Sequence, residues 1–137
     1  MARKTEAYVD TSALIAFTDR SDTYHPLFKR LFADPPPLIT TSLVISEGHG
    51  WFLKRYDRSK AMEFLNMIQL LTPMQIATIG NEQLKGATEI LRRFADQDLT
   101  LADAAGLQIM EIRRIRSCWS TDFHLGLTGV PLAIHKY

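Results

Sequence analysis

Four carboxylates stand where this sequence makes an ionised group hard to accommodate: Asp10, Glu47, Asp103 and Asp122. Asp10 interrupts "EAYVDTSALIAF", between the apolar pair Tyr8–Val9 and the run Ala13–Ala16. Glu47 is flanked by Val44, Ile45, Trp51 and Phe52, so its helix face reads as apolar, and a buried glutamate without a partner is costly. Asp103 follows Thr100 at the spacing of a capping box, with Asp in place of Glu or Gln. Asp122 closes the segment "SCWST".

Taken singly, each acid has a structural account. Asp10 equally fits a helix cap worth about 1 kcal/mol, Asp103 fits the capping box, and Asp122 fits a turn opener. Taken together they are harder to explain without cations. Two unit charges about 4 Å apart repel by about 4 kcal/mol at an effective dielectric near 20. No lysine or arginine adjoins Asp10 or Glu47 in sequence. Mg²⁺ or Mn²⁺ would meet the need, because these hard ions take oxygen ligands, keep several waters and share their shell with substrate phosphate oxygens. Cys/His ligand pairs for a structural zinc are absent. His49 and His124 each lie near an acid and read as surface or supporting histidines.

The elements that must position these groups alternate. Tyr8–Val9 is a short strand and Thr11–Phe17 a short helix. Asp22–Phe32 is an amphipathic helix, with Leu27/Leu31 and Phe28/Phe32 four apart, stopped by "DPPP". "LITT" (Leu38–Thr41) is a strand, and Ser42 reads as the N-cap of a helix to about Arg55. A helix over Ser59–Leu70 follows, then the strand "MQIATIG" and a helix over Glu82–Phe94. A further helix runs from Leu101 to about Arg116. "SCWST" is a strand, Phe123–Leu127 a turn or short helix, and "VPLAI" (Val130–Ile134) a last strand. Gly48 and Gly50 each cost a helix about 1 kcal/mol relative to alanine, which close packing of another backbone would explain. Strands alternating with helices imply an α/β domain with a mostly parallel sheet of four to five strands, covered on both faces. Ligands then sit beyond the carboxyl ends of the strands, the edge where all four acids fall.

Composition sets outer bounds. A chain of 137 residues, 46% hydrophobic and 23% charged, has the make-up of one soluble globular domain spanning 1–137. A formal charge of +1 gives no global attraction to nucleic acid, so any basic surface is local. Lys54, Arg55, Arg58 and Lys60 form one such cluster, and Arg113, Arg114 and Arg116 another; solvated helix faces are the commoner meaning of such runs. The single cysteine, Cys118, excludes an internal disulfide framework and reads as a small buried hydrophobe. No signal-peptide core and no apolar run of membrane-spanning length is present, which predicts a cytoplasmic protein.

The segments "VDTSALIA", "TTSLVISEG", "DQDLTLADAAGLQI" and "WSTDFHLG" occur in the order found in the PIN-domain family. From Tyr8 to Pro131 the chain resembles that family, and in particular the VapC-like toxins of bacterial and archaeal toxin–antitoxin pairs. The resemblance implies a metal-dependent endoribonuclease with Asp10, Glu47, Asp103 and Asp122 as the catalytic acids holding Mg²⁺ or Mn²⁺. It matches a small hydroxyl residue to Ser12, with Thr11 competing, and another to Ser120. Asp96 and Asp98 do not match the catalytic position and read as solvated acids. It further implies an RNA substrate, a small antitoxin that occupies the active-site groove, and a homodimer; Phe28, Phe32, Trp51 and Phe52 fit either core or interface. Two departures fall in the last motif. Phe123 follows Asp122 where the family often has a basic residue, and Leu125 follows His124 where an aromatic often closes the motif, which leaves substrate contacts in that loop open.

Two other readings compete. A catalytically inactive PIN-fold module binding RNA or protein would be expected to have lost some of the acids, and all four are present. A phosphotransferase with an aspartyl nucleophile would usually want a second aspartate two residues after the first, where this chain has Ser12. No Gly-rich phosphate loop is found.

Overall fold

The structure, a computed structural model, describes residues 5–71 and 74–136. Four short strands, β1 (Ala7–Val9), β2 (Leu38–Thr41), β3 (Met74–Ala77) and β4 (Cys118–Trp119), form one parallel sheet in the order β3-β2-β1-β4. The helices are α1 (Thr11–Thr18), α2 (His25–Ala33), α3 (Ser42–Arg55), α4 (Arg58–Leu70), α5 (Asn81–Arg93), α6 (Leu101–Ile112) and the four-residue α7 (Ala133–Lys136). Every residue of β1 and β2 is buried, as expected of strands covered by helices on both faces. Edge strand β3 is half-exposed.

Local chemistry sets most boundaries. Proline in the first turn suits α2, since its missing N–H would have no helical partner there. The helix begins at His25 rather than Asp22. Asp22 folds the preceding residues into a turn by accepting from the Tyr24 N–H through its side chain and from the His25 N–H through its carbonyl. Thr41, not Ser42, caps α3, its hydroxyl accepting from the Val44 N–H at 3.2 Å. Asp57 caps α4 in the same way. Helix α6 ends four residues earlier than its pattern predicts, because Arg114 adopts a left-handed φ of 54° that an α-helix cannot continue through.

The expected fifth strand is absent among the described residues. Leu132 makes an isolated parallel bridge to Cys118, and the chain turns helical at Ala133. Pro131 can accept from the Cys118 N–H but has no N–H to donate, so the ladder stops. "SCWST" likewise contributes only Cys118–Trp119 to the sheet, because Ser120 and Thr121 turn their hydrogen bonds toward Asp10, Ser12 and Asp122.

The core lies between sheet and helices: Tyr8, Leu14, Phe28, Phe52, Phe64 and Leu107 are fully or almost fully buried. Phe28, Phe32 and Phe52 are thus core residues. Trp119 is held edge-on by Phe32, ring centres 4.9 Å apart, which fixes the end of β4 where Ser120 begins. Gly48 has a steric reason to lack a side chain: an added Cβ would lie 2.4 Å from the Phe64 ring of α4. The close neighbour is therefore a side chain and not a backbone. Gly50 faces open space, and nothing in the structure explains it.

Candidate active site

Asp10 follows β1 at the carboxyl edge of the sheet, and its backbone is fully used. Its N–H donates to the Trp119 carbonyl, and its carbonyl accepts from the Ala13 and Leu14 N–H groups that open α1. Thr40 ties the adjacent strand end by donating to the Val9 carbonyl at 2.6 Å. The Asp10 side chain makes no capping bond to α1, which removes the capping account of this acid. Instead its Oδ2 accepts from the Ser12 and Ser120 hydroxyls, at 2.8 and 2.9 Å. Those hydroxyls lie 3.1 Å apart, and each is also an acceptor: Ser12 from the Thr121 N–H and Ser120 from the Asp122 N–H. Ser12, rather than Thr11, is therefore the hydroxyl that serves Asp10. The Thr11 hydroxyl is buried without a hydrogen-bond partner.

Burial dominates the electrostatics. Asp10 is only 3% exposed. Its carboxyl is pushed up from 3.8 to about 6, chiefly by loss of water and further by the Asp103 charge, against the opposing Ser12 and Ser120 hydrogen bonds. Asp103, also buried, completes the capping box by exchanging bonds with Thr100 at 3.0 and 3.1 Å. Its carboxyl too is raised, first by burial, then by the neighbouring Asp122 charge. The same field acts below: burial, then Asp10, pushes the Tyr8 phenol and the Cys118 thiol well above their ordinary ranges, so Cys118 stays a protonated, buried thiol.

Asp122 opens a 3₁₀ turn, Phe123–Gly126, by accepting from the His124 N–H at 3.0 Å. Through the same Oδ1 it meets the His124 ring, Nδ1 at 3.0 Å. Asp103, Asp122 and His124 each offer one ligand atom, and these atoms lie within 4.8 Å of one another. Two carboxylate oxygens and an imidazole nitrogen, with the Asp10 carboxylate in electrostatic reach of Asp103, form a donor set that suits a divalent cation.

The expected residues are thus only partly gathered. Asp10, Ser12, Ser120, Asp103 and Asp122 converge on one edge from segments as far as 110 residues apart. Glu47 does not share their burial. The buried stripe of α3 is Val44, Gly48 and Phe52, and Glu47, about 100° round the helix from Gly48, is exposed. His124, expected at the surface or in support, is half-buried and belongs to the acid group. The spacing Asp-x-His carried that signal only if a turn tight enough to fold the ring back was foreseen. The basic clusters lie elsewhere. Arg113 begins the loop after α6, roughly 15 Å along the helix axis from Asp103, and pairs with Glu6, while Lys60 pairs with Glu63.

Comparison with known proteins identifies the family. The PIN domain family model matches residues 7–122, most of the chain, a span that includes Asp10, Glu47, Asp103 and Asp122. The chain belongs to the PIN-domain family. A PIN-domain relative, the 23S rRNA-specific endonuclease VapC20 of Mycobacterium tuberculosis, is 27% identical over 123 residues, covering 89% of this chain and 93% of that protein. The crystal structure of M. tuberculosis VapC20, described as a sarcin–ricin loop cleaving toxin, superimposes with a TM-score of 0.83 at 25% identity, covering 91% of this chain and 96% of that one. A toxin–antitoxin complex from Klebsiella pneumoniae (TM-score 0.62, 17% identity, 93% and 95% covered) and VapBC2 from Rickettsia felis bound to a promoter DNA fragment (0.64, 11%, 93% and 97%) share the fold. The PIN domain here is α/β, with a four-stranded parallel sheet flanked by helices. Among the described residues no helix is long and apolar enough to cross a membrane.

Proposed function

We propose that this PIN domain is a metal-dependent endoribonuclease acting as the toxin of a toxin–antitoxin pair, with residues 1–137 as a single nuclease domain in the cytoplasm. The observation that carries the reading is the buried Asp10 carboxylate, with a raised pKa and no capping role, beside the Asp103–Asp122–His124 group. The family match and the likeness to an endonuclease of 27% identity support it. An inactive binding module would have no use for acids held against their own repulsion.

In this reading Asp103 and Asp122 would hold Mg²⁺ or Mn²⁺ with Asp10, and Glu47, exposed on α3, would be the fourth acid. A bound divalent ion supplies Lewis-acid activation of water and neutralises charge at the leaving oxygen of a phosphodiester. The chain's own groups do the rest. Ser12 and Ser120 fix Asp10 through Oδ2, and so preorganise the deepest carboxylate. His124 fixes Asp122 through Oδ1, with its backbone N–H and its ring nitrogen. Burial keeps Asp10 and Asp103 short of water, so that a cation would gain more from them than it would in solution. An antitoxin covering this edge, and a homodimer, complete the proposal; the toxin–antitoxin neighbours support the first, and the second rests on the family resemblance alone.

Cleavage of single-stranded RNA in Mn²⁺ tests it. Asp10→Asn, Asp103→Asn and Glu47→Gln should each abolish cleavage, and excess chelator should stop the wild type. Full activity in chelator would refute the metal mechanism, and an active Asp103→Asn would refute the assignment of that residue.

A further inference from the structure

The rim of the site carries an aromatic side chain that its machinery does not use. Phe123, directly after Asp122, is 65% exposed, whereas the other six phenylalanines are buried or half-buried. Exposure alone says little, since single apolar side chains are common on protein surfaces. Its position and its support say more. Consecutive Cα atoms are about 3.8 Å apart, so the ring springs from the margin of the acid group itself. Behind it lies the His124 ring, centroids 4.2 Å apart and planes inclined by 35°. His124 is tied by its Nδ1 to Asp122 Oδ1, and the next residue, Leu125, is wholly buried. The outer phenyl ring is therefore backed by a second ring that is itself bound to a site carboxylate.

Charge narrows what can sit on it. From Ser117 to His135 the chain has no lysine or arginine. The segment bordering Asp122 thus has no permanently charged side chain of its own with which to hold a phosphate backbone beyond the reach of a bound ion. A nucleic acid brought to this edge can be attracted there through the faces of its bases. Stacking on an aromatic ring is sequence-tolerant and works without charge, and the unstacked bases of single-stranded RNA are those that proteins take up in this way.

We infer that Phe123, backed by His124, is a stacking platform for a nucleobase of single-stranded RNA next to the phosphate that is cleaved. The inference rests on the ribonuclease reading above and assigns the substrate grip of this loop to a ring in place of a cation.

Steady-state cleavage of a mixed-sequence single-stranded RNA in Mn²⁺ tests it, with wild type, Phe123→Ala and Phe123→Trp compared. Phe123→Ala should raise KM roughly 5- to 150-fold, the range for losing one base–aromatic stack, and leave kcat within a few-fold. The salt dependence should keep its slope, because no phosphate contact is lost. Phe123→Trp should restore KM, and the melting temperature should not move in either variant. A wild-type KM in Phe123→Ala overturns the inference, as does a lowered melting temperature that tracks the loss and is not repaired by Trp. Unchanged KM with weakened inhibition by a partner protein would make Phe123 a protein contact and overturn it equally. If the wild type cleaves no RNA at all, the ribonuclease reading falls with it; if the wild type cleaves and Phe123→Ala cleaves equally well, only the platform falls.

Discussion

Replacing Asp10 by Asn should stabilise the metal-free protein, and the gain should depend on pH in a definite direction. The Asp10 carboxyl has a pKa near 3.8 when unfolded and about 6 when folded. At 1.36 kcal/mol per pH unit, that difference corresponds to about 3 kcal/mol. Below about pH 3 the acid is protonated in both states and contributes nothing. As pH rises from about 3 through 6 the unfolded chain loses its proton first, so the folded state holds more protons and stability falls. Above about pH 7 the full cost is present. Asn carries no charge and keeps an oxygen that the Ser12 and Ser120 hydroxyls can donate to, at the cost of the charge-assisted part of those bonds. The expected net gain is therefore about 1–3 kcal/mol at pH 8, vanishing near about pH 3. Urea denaturation of both proteins in chelator, from about pH 3 to about pH 8, measures it. Adding Mn²⁺ at 100 times its Kd should then stabilise the wild type by about 2.7 kcal/mol and Asp10→Asn by much less. A loss of 1–3 kcal/mol at every pH would mean that Asp10 is a neutral, hydrogen-bonded core acid, and the account of a site awaiting a cation would fail.

Ser120→Ala removes a donor to a buried carboxylate and an acceptor for the Asp122 N–H; it should cost about 1.5–3 kcal/mol at pH 8, less at pH 4, and slow RNA cleavage, as paired denaturation and rate measurements would register. The two glycines of α3 should respond oppositely. Gly48→Ala drives a Cβ to 2.4 Å from the Phe64 ring, an overpacking cost of about 1–3 kcal/mol that outweighs the helix gain. Gly50→Ala meets open space and should raise stability by about 0.5–1 kcal/mol. Melting temperatures of the two variants decide the matter.

Much of this arrangement could be read from the sequence, because parallel α/β topology converts strand ends into a common edge. Asp10, Asp103 and Asp122 each stood at a strand end or in a first helical turn, and that placement survives in the structure. What the sequence hid was rotation and turn geometry. Glu47 had apolar neighbours on both sides, yet the stripe that packs is Val44–Gly48–Phe52, and a residue one step off it faces solvent. His124 looked peripheral because sequence periodicity says nothing of a 3₁₀ turn that returns its ring to the residue two before it. "VPLAI" has the composition of a strand, but its neighbour β4 is two residues long and Pro131 cannot donate, so pairing has nothing to propagate along. The basic runs were easy to see and impossible to place. Only the direction of α3 and α6 puts them away from the acids.

The hydroxyl pair Ser12–Ser120 bears on when, as well as where, chemistry becomes available. Its halves are separated by 108 residues, and the bridge forms only once β4 has docked beside β1. A polypeptide still emerging during translation holds Asp10 early but lacks Ser120, Asp122 and His124 until more than 100 further residues have been made. Such closure over the longest loop is the late and slow kind of event in folding. A truncation before residue 118 would leave three of the four strands and an Asp10 without the Ser120 hydroxyl that ties it to the far end of the sheet.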